Sequence, residues 1–373
     1  MTRFLKLVLS PTGVLVLAAA LPLGAQEGAV PPPPKGIALS GSVKKAGPVD
    51  AAALAALPRH VVPAKVQGAK AYRGTFEVNG VALKDLLEKA EVAKATPDGF
   101  DRPLDLAVVV TGRDGRKVLF SWGELFLGDD AGAALLVDRI RPLVPHHHEA
   151  IDDSRFAPGN LLGVEAREKL DVAGCAGCHD GEKLGRIDVP RGVCLVPTRD
   201  ATGRRFVEDV VSIEVRQAGF PAPPKKKDLA EPWVEAPALV LPDGKSVPLT
   251  ADALKGIARV EGEDDAIGLG RGFRSHSRWA GASLAALLRA KLPAGTDSGL
   301  LFVVVTGSDG YRSLYSGGEV LLSRLPENVV LVDTEDGKPL LKKSGRLKSL
   351  PRGDFFADRD VRTVSEVRVL LAR

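Results

Sequence analysis

Two stretches of the chain share one order of hydrophobic and polar positions. Apolar residues recur at helical spacing over 83–90 and again over 284–292, so both stretches are predicted to form amphipathic helices. Each is followed by a run rich in β-branched residues, LAVVVTG at 106–112 and LFVVVTG at 301–307. Such runs are typical of buried strands. The hydrophobic pattern therefore predicts the same helix–strand order twice.

The residues after each strand are repeated as well. An Asp-Gly turn comes first, at 114–115 and at 309–310, where glycine supplies the positive φ that the turn requires. The tetrapeptides 121–124 and 316–319 then show the Ser-x-x-Glu pattern of a capping box, which predicts a short helix. A repeat of this length indicates a duplicated domain rather than a solenoid unit.

The two copies also end alike, but the first is longer. The sequence GRIDVPRG at 185–192 matches GRLKSLPRG at 345–353, and VVSIEVR at 210–216 echoes TVSEVRV at 363–369. This alignment places about 35 extra residues in the first copy, between its capped helix and its closing segment. The chain's candidate chemistry lies in that insertion.

The N-terminus predicts export. Arg3 and Lys6 precede an apolar run, and Leu23–Ala25 offers a small-residue cleavage site, which is the layout of a secretory signal peptide. This N-terminal region has no twin-arginine pair, so we expect a Sec-type signal and a periplasmic protein. No later segment approaches about 18 uninterrupted apolar residues, so no stable membrane span is expected after cleavage. The predicted organisation is a signal peptide at 1–25, a proline-rich linker at 26–36, a first domain at 37–217 with the insertion at about 144–184, a linker at 218–235 and a second domain at 236–373.

The repeated pattern resembles a known family. The order x-G-V-x-L-x-x-L-L, hydrophobic-V-V-x-x-x-D-G-Y, short helix and V-P-R-G resembles the molybdopterin-binding domain of sulfite-oxidase-type oxidoreductases. The resemblance implies an α+β fold with two tandem mixed α/β domains, the first of which carries the insertion. In that family a cysteine upstream of the G-V-x-L motif binds molybdenum, but residues 58–80 and 256–281 contain none. We therefore expect scaffold domains that have lost the metal and bind no molybdopterin.

The motif CAGCH lies inside the insertion. Cys175 and Cys178 are three residues apart, and His179 follows directly. This is the pattern of covalent c-type haem attachment, in which two thiols form thioethers and the adjacent histidine is the proximal iron ligand. Covalent attachment also lets a short segment hold haem without a large pocket. We therefore predict one covalent haem c at this motif.

Two other interpretations of the motif stay open. Cys175 and Cys178 could instead form a disulfide, which would be redox-labile rather than structural. The same two cysteines with two clustered histidines also match the ligand preferences of zinc. The chain's remaining cysteine, Cys194, is flanked by apolar residues and is predicted to be a buried core thiol.

A count of the methionine and histidine residues reduces the number of candidates for the distal iron ligand. The chain's one methionine is Met1, which is lost with the signal peptide, so histidine–methionine ligation is excluded. Outside the insertion the histidines are His60 and His276, and a lysine is a further possibility. We favour one of three consecutive histidines of the insertion, which are His146, His147 and His148.

Composition and charge exclude several classes. A net charge of +4 on 373 residues is mild, and the lysine run at 225–227 lies beside prolines, so no nucleic-acid binding is expected. Three cysteines are too few for a disulfide scaffold. The basic cluster formed by Arg271, Arg274, His276 and Arg278 is compatible with an anion contact or with an exposed basic loop.

Together these patterns predict an exported c-type haem protein that transfers single electrons to or from a redox partner protein that the sequence does not name. The alternatives are a molybdopterin-dependent oxidoreductase subunit with a haem relay, and a binding module whose insertion holds zinc.

Overall fold

The computed structural model describes residues 36–67, 72–96, 99–128, 134–142, 192–218, 234–325 and 327–372. All of them belong to one unit, Pro34–Arg373. They form nineteen strands and six short α-helices in two successive sets, and each set builds two sheets.

The first set runs from residue 37 to residue 217. Its elements are β1 (Ile37–Gly41), β2 (Gly47–Val49), α1 (Ala51–Ala55), β3 (Arg59–Gln67), β4 (Tyr72–Ala82), α2 (Leu83–Ala90), β5 (Leu106–Gly112), β6 (Lys117–Ser121), α3 (Trp122–Phe126), β7 (Ala134–Pro142), β8 (Cys194–Pro197) and β9 (Val210–Gln217).

The second set runs from residue 238 to residue 371. Its elements are β10 (Ala238–Val240), β11 (Ser246–Pro248), α4 (Ala251–Leu254), β12 (Arg259–Gly268), β13 (Gly272–Ser283), α5 (Leu284–Lys291), β14 (Leu301–Gly307), β15 (Arg312–Ser316), α6 (Gly317–Leu321), β16 (Val329–Glu335), β17 (Lys338–Pro339), β18 (Lys348–Pro351) and β19 (Val364–Leu371).

The two sets have matching sheet orders. One sheet is β2-β1-β9-β5-β6 in the first set and β11-β10-β19-β14-β15 in the second. The other is β3-β4-β7-β8 in the first set, and in the second β12, β13 and β16 follow the same order, with β18 paired to β16. The first and last strands of each set, β1 with β9 and β10 with β19, pair in parallel. In each set the C-terminal strand therefore lies at the centre of this sheet, next to the first strand of the same set.

The locally predicted elements are confirmed. The helices α2 and α5 cover 83–90 and 284–291, and their apolar positions face the two main cores: Leu83 and Leu87 are fully buried in one, Leu284 and Leu288 in the other. The runs LAVVVTG and LFVVVTG are β5 and β14. Burial of such side chains stabilises the fold by about 1.5–3 kcal/mol each.

The predicted α+β class is wrong, because the described residues fold mainly as β-sheet. They contain four sheets of at least four strands, and no described α-helix is longer than eight residues. Much of this β structure lies in the hairpins β3–β4 and β12–β13, which pair over nearly their whole length. The strand β12 reads RVEGEDDAIG and lacks a continuous apolar face, so the hydrophobic pattern gave no strand signal there.

The register also corrects the alignment of the two closing segments. Val137 pairs with Cys194, and the corresponding Val332 pairs with Lys348. Strand β8 therefore corresponds to β18, whereas the V-P-R-G match had paired 189–192 with 350–353. The V-P-R-G similarity is therefore a chance match between positions that do not correspond in the structure. The first repeat has more extra residues between β7 and β8 than the sequence alignment indicated.

Candidate functional site

The residues predicted to hold haem lie outside the described residues. These are Cys175, Cys178, His179, His146, His147 and His148. What the structure describes is the scaffold on either side: β7 ends at Pro142, and β8 begins at Cys194. Because these two strands are antiparallel neighbours, the connection begins and ends at the same end of the strand pair.

The other candidate ligands are held by local contacts. His60 lies on β3, and its Nε2 is 3.6 Å from Oδ2 of Asp85 on α2. His276 lies on the exposed hairpin strand β13, and its Nδ1 is 2.9 Å from Oδ1 of Asp265. Among the described residues, no group of three or more histidine, cysteine or acidic side chains is arranged to hold a metal ion.

Cys194 is a buried thiol, as the sequence predicted. Its side chain is 4% exposed and lies in an apolar cluster that includes Val137, Ile140 and Phe206. Its Sγ is 3.6 Å from the carbonyl oxygen of Gly192. A thiolate that binds molybdenum must be deprotonated and open toward the metal. The apolar enclosure of Cys194 does not fit that role.

The structure reveals a buried ionic cluster that the sequence analysis did not predict. The cluster has two halves, and the first is built around Arg205, which follows β8 and is completely buried. Its Nε and Nη2 donate to the two carboxylate oxygens of Asp200 at 3.0 and 2.6 Å. Its Nη1 donates to Glu124 Oε2 at 3.2 Å and to Ser316 Oγ of the second repeat at 3.1 Å. Arg205 therefore links the two repeats.

The second repeat supplies the corresponding half. Arg359 donates from Nε to Asp354 at 2.6 Å and from Nη1 to Glu319 at 2.8 Å. The same Nη1 also reaches Ser121 Oγ of the first repeat at 3.1 Å. Each of these residues has a counterpart in the Arg205 half at the matching position of the other repeat. The cluster thus has an approximate two-fold symmetry.

The two capped helices complete the cluster. Ser316 Oγ donates to Glu124 Oε2 at 2.6 Å, and Ser121 Oγ donates to Glu319 Oε2 at 3.1 Å. Each serine also accepts the amide hydrogen of the glutamate three residues later in its own helix. The Ser-x-x-Glu patterns therefore do more than cap α3 and α6, because each joins its helix to the other repeat.

A glycine makes room for each buried arginine. A Cβ on Gly318 would lie 2.1 Å from Cζ of Arg205, and a Cβ on Gly123 would lie 2.2 Å from Cδ of Arg359. On their other faces the guanidinium groups lie against aromatic rings: Arg205 is 4.1 Å from the ring centroid of Phe120, and Arg359 is 4.9 Å from that of Tyr315. These cation–π contacts help to offset the loss of water around the charges.

Burial also shifts the proton equilibria of the acids. Desolvation raises the pKa of Glu319 to about 8, although the charge of Arg359 opposes the shift. Desolvation likewise raises the pKa values of Asp200 and Asp354, with their paired arginines acting in the opposite direction. Because Asp200 and Arg205 come directly after β8, this cluster fixes the strand at which the CAGCH-bearing connection returns to the sheet.

Comparison with known proteins gives little further guidance. No family model matches the chain, and no curated protein matches it. A solved structure of the sulfane dehydrogenase SoxCD from Paracoccus pantotrophus is 12% identical, with 90% of this chain and 77% of that chain covered and a TM-score of 0.29. No helix among the described residues combines the length and apolar character needed to span a membrane.

Proposed function

We propose that this chain is an exported c-type haem protein that transfers single electrons. The observation that carries the proposal is the Cys175-x-x-Cys178-His179 motif within a connection that is long in only one of two matching repeats. The second repeat joins Val332 to Lys348 by a short connection, whereas the first joins Val137 to Cys194 through the segment that contains the motif. An added segment that carries a cofactor motif on an otherwise repeated scaffold is best explained by the cofactor.

The residues of the chain have distinct roles in this proposal. Cys175 and Cys178 attach the haem, His179 is the proximal ligand, and a histidine from 146–148 is the distal ligand. The haem iron would supply one-electron redox chemistry when bound. The chain contributes the ligating residues, and paired strands hold the two ends of the connection that carries them. The redox partner is another protein.

The experiment is a pyridine haemochrome spectrum of protein exported from a host that matures c-type cytochromes. We expect a c-type band at about one haem per chain, and its loss in the Cys175→Ala/Cys178→Ala variant. The variant Cys194→Ala is the matched control, since it removes a thiol outside the motif and should keep the band. A wild type that binds no haem, or a band that survives loss of both motif cysteines, would refute the proposal.

The distal ligand is tested on the same protein. Single His→Ala variants at 146, 147 and 148 are compared by their ferric absorption spectra, with His276→Ala as the control because that side chain is exposed and pairs with Asp265. One of the three variants should change from a six-coordinate low-spin to a high-spin spectrum, and the control should not change. Stoichiometric zinc with no Soret band would instead identify the insertion as a zinc site.

A further inference from the structure

The second repeat contains a polar cavity that the proposed electron transfer does not use. It has a volume of about 380 Å³ and lies beside the sheet formed by β12, β13, β16 and β18. The tip of the β12–β13 hairpin is fixed beside it, because the amide of Leu269 donates to Asp358 Oδ2 at 2.6 Å. Arg102 of the first repeat donates to the other oxygen of the same carboxylate at 2.9 Å. The cavity is therefore bordered by both repeats.

The equivalent face of the first repeat is apolar. Strand register matches Asp264 with Ala64, Ser277 with Phe76, Glu335 with Ile140 and Lys348 with Cys194. The four residues of the first repeat belong to one buried hydrophobic cluster. Their four counterparts all line the cavity. Four polar substitutions on one sheet face are not needed by the fold, because the first repeat builds the same sheet without them.

The inner part of the cavity is acidic. Lys348 is already engaged, since its Nζ donates to Glu335 Oε1 at 3.0 Å. Asp264 and Asp360 lie close enough to Lys348 and to each other for their charges to interact. Desolvation raises the pKa of Asp360 to about 7, although Lys348 and Arg362 oppose the shift. Because Lys348 is shared with Glu335, Asp264 and Asp360 are only partly compensated once they are ionised.

The outer part is basic. Arg271, Arg274 and Arg362 line the cavity, and all three residues are exposed. Arg274 is nevertheless positioned, because its guanidinium lies across the hairpin against Gly268, where a Cβ would be 2.3 Å from Nη2. Guanidinium groups suit the oxygens of phosphate, sulfate and carboxylate groups. The cavity thus has an arginine rim for an anion and an acidic floor for a cation.

We propose that this cavity binds a small zwitterion, with its oxyanion at Arg271, Arg274 and Arg362 and its ammonium group at Asp264 and Asp360. A free anion would engage the arginines but not the two carboxylates, and a free cation would engage the carboxylates but not the arginines. A molecule that carries both charges satisfies both ends. The site is independent of the haem proposal, because its lining comes from the second repeat and from Arg102.

The test is calorimetric titration of the full chain with phosphoethanolamine, inorganic phosphate and ethanolamine as three separate probes. We expect saturable binding of phosphoethanolamine, about tenfold or more tighter than binding of either single-charge probe. Arg274→Gln should weaken phosphoethanolamine binding by about tenfold, because a charge-assisted hydrogen bond is lost. Asp264→Asn should narrow the difference between phosphoethanolamine and phosphate.

Arg278→Gln is the matched control, since Arg278 lies on the same strand, is exposed and lines a different surface with Glu263. It should bind phosphoethanolamine like the wild type. Melting temperatures of all variants confirm that they are folded. Absence of saturable binding, phosphate binding as tightly as phosphoethanolamine, or an equal loss in Arg278→Gln would each overturn the proposal.

Discussion

Removing one arginine of the buried cluster should destabilise the whole chain. In Arg205→Met the side chain volume is largely kept, but Asp200 and Glu124 lose the cation that compensates them. Both carboxylates are almost inaccessible to water, with 0% and 2% of their side chains exposed. Breaking a buried pair by removing one partner costs about 3–5 kcal/mol of unfolding free energy. Because the cluster is two-fold symmetric, Arg359→Met should lose a similar amount.

Urea unfolding monitored by circular dichroism measures this loss. With a denaturant slope of about 3 kcal/mol/M or more for a chain of this size, the midpoint should fall by about 1 M. The control is Arg113→Met, because Arg113 also pairs with an aspartate, Asp209, but has 49% of its side chain exposed. Exposed pairs contribute about 0–1 kcal/mol, so this variant should unfold close to the wild type.

A combined variant separates charge from packing. Arg205→Met with Asp200→Asn and Glu124→Gln leaves no uncompensated charge, so it should regain about 2 kcal/mol relative to Arg205→Met alone. If Arg205→Met unfolds within about 0.5 kcal/mol of Arg113→Met, the cluster does not hold the repeats together and the reasoning is refuted. If the combined variant regains nothing, the loss comes from packing rather than from the unpaired carboxylates.

Three further outcomes follow from the structure. Gly318→Ala should lower the free energy of unfolding by about 1–3 kcal/mol in urea, because its Cβ would overlap Arg205, whereas Gly299→Ala, whose nearest contact is 3.2 Å away, should lose less. Burial raises the pKa of Asp360 to about 7, above the value of about 4 for an aspartate in the unfolded chain. The folded chain therefore loses stability as the pH rises from about 4 through about 7, because Asp360 must then be ionised in a buried position. Asp360→Asn should therefore melt like the wild type near about pH 4 and at a higher temperature near about pH 8, and a lower melting temperature at the higher pH would contradict this. In the variant that lacks both motif cysteines, Cys194 should react with a thiol reagent only after unfolding, and rapid reaction of the native chain would show that the thiol is not buried.

Local sequence patterns predicted the elements that depend on local physics. The helices α2 and α5 and the strands β5 and β14 lie where the hydrophobic periodicity placed them, because each buries a regular apolar face. The turn at 309–310 has a glycine at positive φ for the expected reason. These features need only a few neighbouring residues to be recognised.

The fold class and the buried cluster depend on long-range contacts. Strand β12 is polar, and it pairs as a strand because β13 binds its whole length. Arg205 joins Ser316, 111 positions away, and an arginine is ordinarily expected at the surface. The sequence did signal the pair of serines, but only as helix caps. Each serine also hydrogen-bonds to a glutamate and an arginine of the other repeat, and this second role cannot be recognised from the residues near it in sequence.

The symmetry of the cluster has a consequence for the origin of the chain. Arg205 contacts Ser316 while its counterpart Arg359 contacts Ser121, so the same pair of positions meets twice across the junction. This is the geometry of an isologous interface in a homodimer, in which one surface patch binds its own copy. Fusion of the two copies of such a dimer into one chain would produce the arrangement seen at this junction. A protein made of the second repeat alone would carry both halves of the contact and should assemble with itself.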